Sequence, residues 1–139
     1  MKIYLDKEAY LPVREHATDA GIDLRTAETF TVKAHSFAFC HTGVHVELPH
    51  KTVGKVESKS GLDSRDGITA RGTIDEGYTG EIGITLHNDS DKDKKFLAGD
   101  KVAQLVVYPV WYPNLEQVES LDEFGESERG TDGFGSTGK

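Results

Sequence analysis

The apolar residues of this chain fall in short runs rich in β-branched and aromatic side chains, each closed by a turn signal, and sustained helical periodicity is nearly absent. Such spacing suits strands and little else, so it predicts an all-β fold. Candidate strands are Lys2–Leu5, Phe30–Val32, Phe37–Cys40, Val44–Leu48, Thr52–Glu57, Gly80–His87, Lys95–Leu97 and Val102–Val110. Between them stand Leu48-Pro49, Asp66-Gly67, Glu76-Gly77, Asn88-Asp89-Ser90 and Ala98-Gly99-Asp100, where Gly, Pro, Asn and Asp supply the backbone angles that reversals require. Strands in that number and spacing imply a β-sandwich, jelly roll or barrel. Only Gly61–Asp66 reads as a short helix, opening just after Ser58-Lys59-Ser60.

A length of 139 residues fits one domain with one core. Residues 1–115 carry the strand pattern and form the expected body; residues 116–139 turn acidic and then glycine-rich, as an arm leaving that body would. The net charge of −8 argues against general DNA or RNA binding, which needs broad excesses of Lys and Arg. Any phosphate site must be local, and a chain this acidic would handle polyphosphate with a bridging divalent cation. The single cysteine, Cys40, excludes an intramolecular disulfide and a multi-cysteine zinc site. With no apolar leader or membrane-length run, the expected location is cytoplasmic.

Five segments carry residues suited to chemistry. Ala17–Leu24 sets Asp19 and Asp23 around a small-residue turn, and Asp23 precedes an inward Leu24; the carboxylate either caps its own turn or holds a metal-bound water. Ser58–Leu62 offers hydroxyls, an ammonium and a glycine at a strand-to-helix junction, where unpaired N–H groups make either a phosphate seat or a simple N-cap. It is not a Walker loop, whose spacing is missing. Gly72–Glu81 reads as a tight hairpin around Glu76-Gly77, either a solvated acidic tip or a site where backbone groups read a base edge beside Asp75 and Tyr78. Gly99–Leu105 enters the most apolar strand with Gln104 as an amide needing a partner, in the core or on a ligand. The tail Arg129–Lys139 sets one guanidinium, one ring (Phe134) and two hydroxyls (Ser136, Thr137) among glycines, either a plain flexible end or a clamp for a base plus phosphates. The six histidines lack ligand spacing and are expected in structural or surface roles; Trp111 and Tyr112 are expected at a sheet end or subunit contact.

In order and spacing, these segments closely resemble the five motifs of the trimeric deoxyuridine triphosphate nucleotidohydrolases (dUTPases): Ala17–Leu24, Lys59–Leu62, Gly72–Glu81, Gly99–Leu105 and Arg129–Gly138. The third and fifth, GTIDEGYTGE and RGTDGFGSTG, are long and specific. The resemblance implies a jelly-roll-like β-barrel, or β-clip, with an extended C-terminal arm. It also implies a homotrimer whose sites are shared, with motifs one, two and four from one subunit, the hairpin from a neighbour and the arm from the remaining one. The implied reaction is hydrolysis of dUTP to dUMP and pyrophosphate with Mg2+ across the triphosphate, which keeps uracil out of DNA. Asp75 would activate the water. Asp23 would hold the metal through a water. Lys59, Ser60, Gly61, Gln104, Arg129, Ser136 and Thr137 would bind phosphates. Backbone of Gly72, Thr73 and Ile74 would read uracil, Tyr78 would pack on deoxyribose and exclude a 2′-hydroxyl, and Phe134 would stack over the base as the tail closes.

Two positions depart from the family pattern. Motif two usually carries Arg before Ser-Gly, and Lys59 keeps the charge while losing the planar fork. Arg71 stands where the family often has a small or apolar residue. Two other functions suit the same features: a dCTP deaminase-like enzyme of the same fold, whose motif three carries a catalytic Glu where this chain has Asp75, and a catalytically weak dUTP-binding regulatory protein.

Overall fold

Alternation along the chain becomes ten strands, with one short α-helix and a 3-10 turn at Leu121–Glu123, in the computed structural model, which describes residues 1–127, 130 and 131. The strands are β1 (Lys2–Leu5), β2 (Ile22–Arg25), β3 (Phe30–Val32), β4 (Ser36–Cys40), β5 (Val44–Glu47), β6 (Thr52–Glu57), β7 (Ile68–Ile74), β8 (Ile84–Asn88), β9 (Lys94–Phe96) and β10 (Lys101–Pro109), with α1 (Ser60–Asp66) between β6 and β7. Six of them form one antiparallel sheet in the order β2-β10-β6-β7-β8-β4, and β1–β5 and β3–β9 form two-stranded ribbons. The result is an all-β, jelly-roll-like fold. No helix among the described residues is long and apolar enough to cross a membrane.

The pleat explains which residues enter the core. Ile68, Ala70 and Ile74 of β7 and Ile84 and Leu86 of β8 alternate inward and meet Leu24, Val56, Val44, Val46 and Phe96. Each fully buried Leu, Ile or Val contributes about 1.5–3 kcal/mol by leaving water. Among the described residues every buried side-chain nitrogen and oxygen has a hydrogen-bond partner. Asn88, at the inward end of β8, donates to the Val32 and Lys92 carbonyls and accepts from Ser90, which fixes the connection to β9. The thiol of Cys40 is buried, and that burial pushes its pKa up to about 11, so it serves as a small apolar filler.

Three sequence expectations need correction. β2 and β7 are not among the sequence-predicted strands, because β2 has only four residues inside a turn-like motif and the inward positions of β7 include Ala70 and Gly72, which carry little apolar signal. The expected strand Gly80–His87 begins only at Ile84. Gly80 and Gly83 lie beneath the rings of Tyr78 and Phe39, and a Cβ on either would stand 2.5 Å from Tyr78 Cζ or 2.7 Å from Phe39 Cε2. The hairpin is also not tight. β7 pairs with β8 only as far as Arg71↔Thr85, and a broad tip over residues 75–83 joins them. Helix α1 starts one residue before its expected bound and ends at Gly67, whose φ of +65° suits the left-handed cap that glycine favours.

Candidate active site

A cavity of about 680 Å³ opens beside β2 and β10, and Asp23, Lys59, Gln104 and Lys101 line it. β2 delivers Leu24 to the core and Asp23 to the opposite face, and backbone hydrogen bonds to Val13 pin that residue on its outer edge. Asp23 is only 7 % exposed. Its Oδ1 pairs with the Lys59 ammonium, and its Oδ2 lies 2.7 Å from Lys101 Nζ, which also holds Glu15 at 2.9 Å. Burial pushes the Asp23 carboxyl up, but the hydrogen bonds from Lys101 and Lys59 outweigh it and leave the pKa below its ordinary value. Lys101 and Glu15 escaped sequence reasoning; the only signal was Lys101 standing between Asp100 and the β10 core run.

Gln104 pairs with Asp23 on one side and Glu57 on the other, so the amide sits at the floor of the cavity. Its Nε2 donates to the Ser58 carbonyl at 3.0 Å, leaving Oε1 on the side of Gly21. A Cβ on Gly21 would stand 2.8 Å from Gln104 Cδ, so the glycine leaves the amide the room for its present placement. Ser60 and Gly61 open α1 immediately after Lys59, whose side chain makes no cap bond to the helix. Leu62 and Asp63 N–H bond back to the Lys59 carbonyl, so among the described residues the first turn offers the Ser60 and Gly61 N–H groups, with the Arg65 guanidinium close to Gly61.

Asp75 and Tyr78 stand elsewhere on the same chain. Ile74 pairs with Gly54 and Gln104 with Glu57, so three residues of β6, about 10 Å of strand, separate the Asp75 end from the Gln104 end. The turn Asp75–Tyr78 closes through Tyr78 N–H on the Asp75 carbonyl at 3.1 Å, with Gly77 at φ +87° in the position that needs a positive angle. Tyr78 is 47 % exposed; its hydroxyl donates to the Glu81 carbonyl at 3.0 Å and its ring covers Gly80. Before the turn, Gly72, Thr73 and Ile74 ladder with Val56, Lys55 and Gly54 of β6, but β8 leaves them after Arg71. Among the described residues, their β8-facing backbone edge has no ladder partner and can read the edge of a planar ligand. A carboxylate and a backbone carbonyl hold this tip in place: Glu81 accepts Gly43 N–H at 2.8 Å and lies 3.1 Å from His41 Nδ1, and the Thr79 carbonyl lies 2.9 Å from His45 Nδ1.

The sequence-predicted site thus divides into two halves, Asp23, Lys59, Ser60, Gly61 and Gln104 at one end and Gly72, Thr73, Ile74, Asp75 and Tyr78 at the other. Arg129, Phe134, Ser136 and Thr137 lie outside the described residues. Trp111 is 82 % exposed and packs at no sheet end, whereas Tyr112 donates its hydroxyl to Glu76 at 2.7 Å. Among the described residues no three His, Cys, Asp or Glu side chains converge as a metal cage.

The sequence profile of the dUTPase family matches residues 7–138. The chain belongs to the dUTPase family. Among similar members, the deoxyuridine 5'-triphosphate nucleotidohydrolase of Clostridium tetani is 43% identical over 143 residues, covering 100% of this chain and 97% of that protein. That of Candida albicans is 39% identical over 141 residues, covering 100% of this chain and 88% of its own. Among solved structures, the Staphylococcus bacteriophage 80alpha dUTPase with dUPNHPP superimposes with a TM-score of 0.90 at 34% identity, covering 99% of this chain and 98% of that one. A variant of the dUTPase from phage phi11 of S. aureus, described for its coordination of a structural Mg(II) ion, gives a TM-score of 0.79 at 32% identity over 87% of this dUTPase-family chain and 97% of that chain.

Proposed function

We propose that this chain is a dUTP diphosphatase that hydrolyses dUTP to dUMP and pyrophosphate. The observation that supports this reading best is the open backbone edge of Gly72–Ile74 running directly into Asp75 and the Tyr78 ring. Uracil would pair with that edge, and Tyr78 would pack on the deoxyribose and exclude a 2′-hydroxyl. Asp75 would accept a proton from a water as its oxygen bonds to the α-phosphorus. The bond from that phosphorus to the oxygen bridging toward the β-phosphate breaks, and pyrophosphate leaves with the electron pair. Lys59, Ser60 and Gly61 at the start of α1, with Gln104, would grip the phosphates; Arg129, Ser136, Thr137 and Phe134 would close over them from the arm.

Mg2+ fits this donor set only as an ion carried by the triphosphate. Asp23 is a single carboxylate already shared by Lys59 and Lys101, so it suits contact through a metal-bound water. Bound there, magnesium would supply charge neutralisation across the phosphates. Membership of the dUTPase family supports sites shared between subunits of a homotrimer, with residues 1–115 as the barrel and 116–139 as the arm. A cytoplasmic location, beside the nucleotide pool, suits the substrate.

Pyrophosphate release from dUTP with Mg2+, measured beside dTTP, dCTP and UTP, tests the reading. Selective dUTP cleavage that Asp75→Asn abolishes while retaining dUTP binding is expected. Ammonia release from dCTP would favour a deaminase, and dUTP binding without turnover would favour a regulatory protein.

A further inference from the structure

One carboxylate ties the Asp75 turn to two other segments of the chain. Glu76 follows Asp75 directly, and its side chain turns back toward the barrel: Oε1 lies 2.6 Å from His50 Nδ1, and Oε2 accepts Lys51 N–H at 2.9 Å and the Tyr112 hydroxyl at 2.7 Å. Lys51 has a φ of +57°, an angle that costs a side-chain-bearing residue about 1 kcal/mol or more and persists only where the surroundings enforce it. Here both sides of the residue are fixed, the N–H on Glu76 and the carbonyl by Val110 N–H at 2.9 Å. Tyr112 stands just past the end of β10, where the chain leaves the barrel. Hydrogen bonds from Tyr112, His50 and the Lys51 N–H lower the Glu76 pKa to about 2, so the carboxylate stays charged and keeps its donors.

Among the described residues the Asp75 carboxylate receives no hydrogen bond from the protein, so its aim depends on the backbone that carries it. That backbone has two ties, the bond from Tyr78 N–H to its own carbonyl and the anchored side chain of the next residue. We infer that Glu76 is a positioning residue: clamped by His50, Lys51 and Tyr112, it holds the Asp75 turn in register with the barrel and joins it to the root of the C-terminal arm. The inference rests on the proposed role of Asp75 in dUTP hydrolysis. A base displaced by 1 Å can lose about 100-fold in rate, and because the base acts on the water only at the transition state, the loss falls on kcat and spares KM.

The test compares Glu76→Ala, Glu76→Gln and Tyr112→Phe with the wild type in steady-state dUTP hydrolysis with Mg2+ and in amide hydrogen exchange of the turn. Glu76→Ala is expected to lower kcat about 10- to 100-fold with KM within about twofold. Glu76→Gln keeps a carbonyl oxygen for Lys51 N–H and Tyr112, and is expected to recover to within about fivefold of wild type; Tyr112→Phe should lose about two- to fivefold. The Tyr78 amide should exchange faster in Glu76→Ala than in wild type. Unchanged kcat in Glu76→Ala, a change confined to KM, recovery by Gln no better than by Ala, or unchanged Tyr78 exchange would each overturn the inference. Should Glu76→Ala not fold, an unchanged kcat in Tyr112→Phe does so. A wild type that does not cleave dUTP removes the proposed activity alone, and the exchange of Tyr78 still decides the clamp.

Discussion

Replacing Gly80 by alanine should separate stability from activity. A Cβ at that position stands 2.5 Å from Tyr78 Cζ, so the ring must move by about 1 Å to reach ordinary van der Waals contact. Little holds it back: the ring is half exposed, and its one hydrogen bond, from the hydroxyl to the Glu81 carbonyl, is worth about 1 kcal/mol. Gly80 does not adopt a positive φ, so alanine also stiffens the unfolded chain and returns about 0.4–1 kcal/mol. The two terms nearly cancel, and Tm should stay within about 4 °C of wild type. Catalysis has no such compensation. Moving the proposed sugar contact by about 1 Å next to Asp75 should cost up to about 100-fold in kcat/KM for dUTP and weaken discrimination against UTP. Thermal unfolding and parallel dUTP and UTP kinetics give both readouts. A variant with wild-type Tm, kcat/KM within twofold of wild type and undiminished selectivity would refute the role given to the Tyr78 ring.

Gly21→Ala would force the Gln104 amide off the Ser58 carbonyl, because the new methyl stands 2.8 Å from its Cδ; a loss of about tenfold in kcat/KM is expected, measured on dUTP beside Gln104→Ala, which should lose a similar amount. Lys101→Met leaves Asp23, among the described residues, with Lys59 as its only ammonium and should lower stability at neutral pH, by less than the loss of a fully buried partner because Lys101 is partly exposed. Since Asp23 has a lowered pKa, its contribution is present above its unfolded value near 3.8 and lost as pH falls through the folded value; acid unfolding should therefore begin at higher pH in Lys101→Met. Glu76 obeys the same sign over a wider window. Its stabilisation is complete above about 4.5 and lost toward 2, so chemical denaturation at stepped pH should show a shallower acid decline in Glu76→Gln than in wild type.

The strand pattern and its turn residues determined the all-β class, and for the eight expected strands every edge but the Gly80 start agrees within a residue, because alternation on a pleat is a local property. Asp23, Lys59, Gln104, Asp75 and Tyr78 could be singled out as candidates from the sequence, since each lies in a segment whose residue types suit one chemistry when taken together. β7 could not: the inward Ala70 and Gly72 gain their burial from β6 and β8, strands that pair with them across the sheet. The carboxylate partnerships were equally out of reach. Glu76 meets His50 and Tyr112, 26 and 36 residues away, and Lys101 meets Glu15 across 86, contacts that no local spacing encodes. Residue types and their order thus fixed which chemistry this chain can hold. Only the sheet, by placing β6 between β10 and β7, decided that the groups proposed to bind phosphate and Asp75 stand about 10 Å apart along β6.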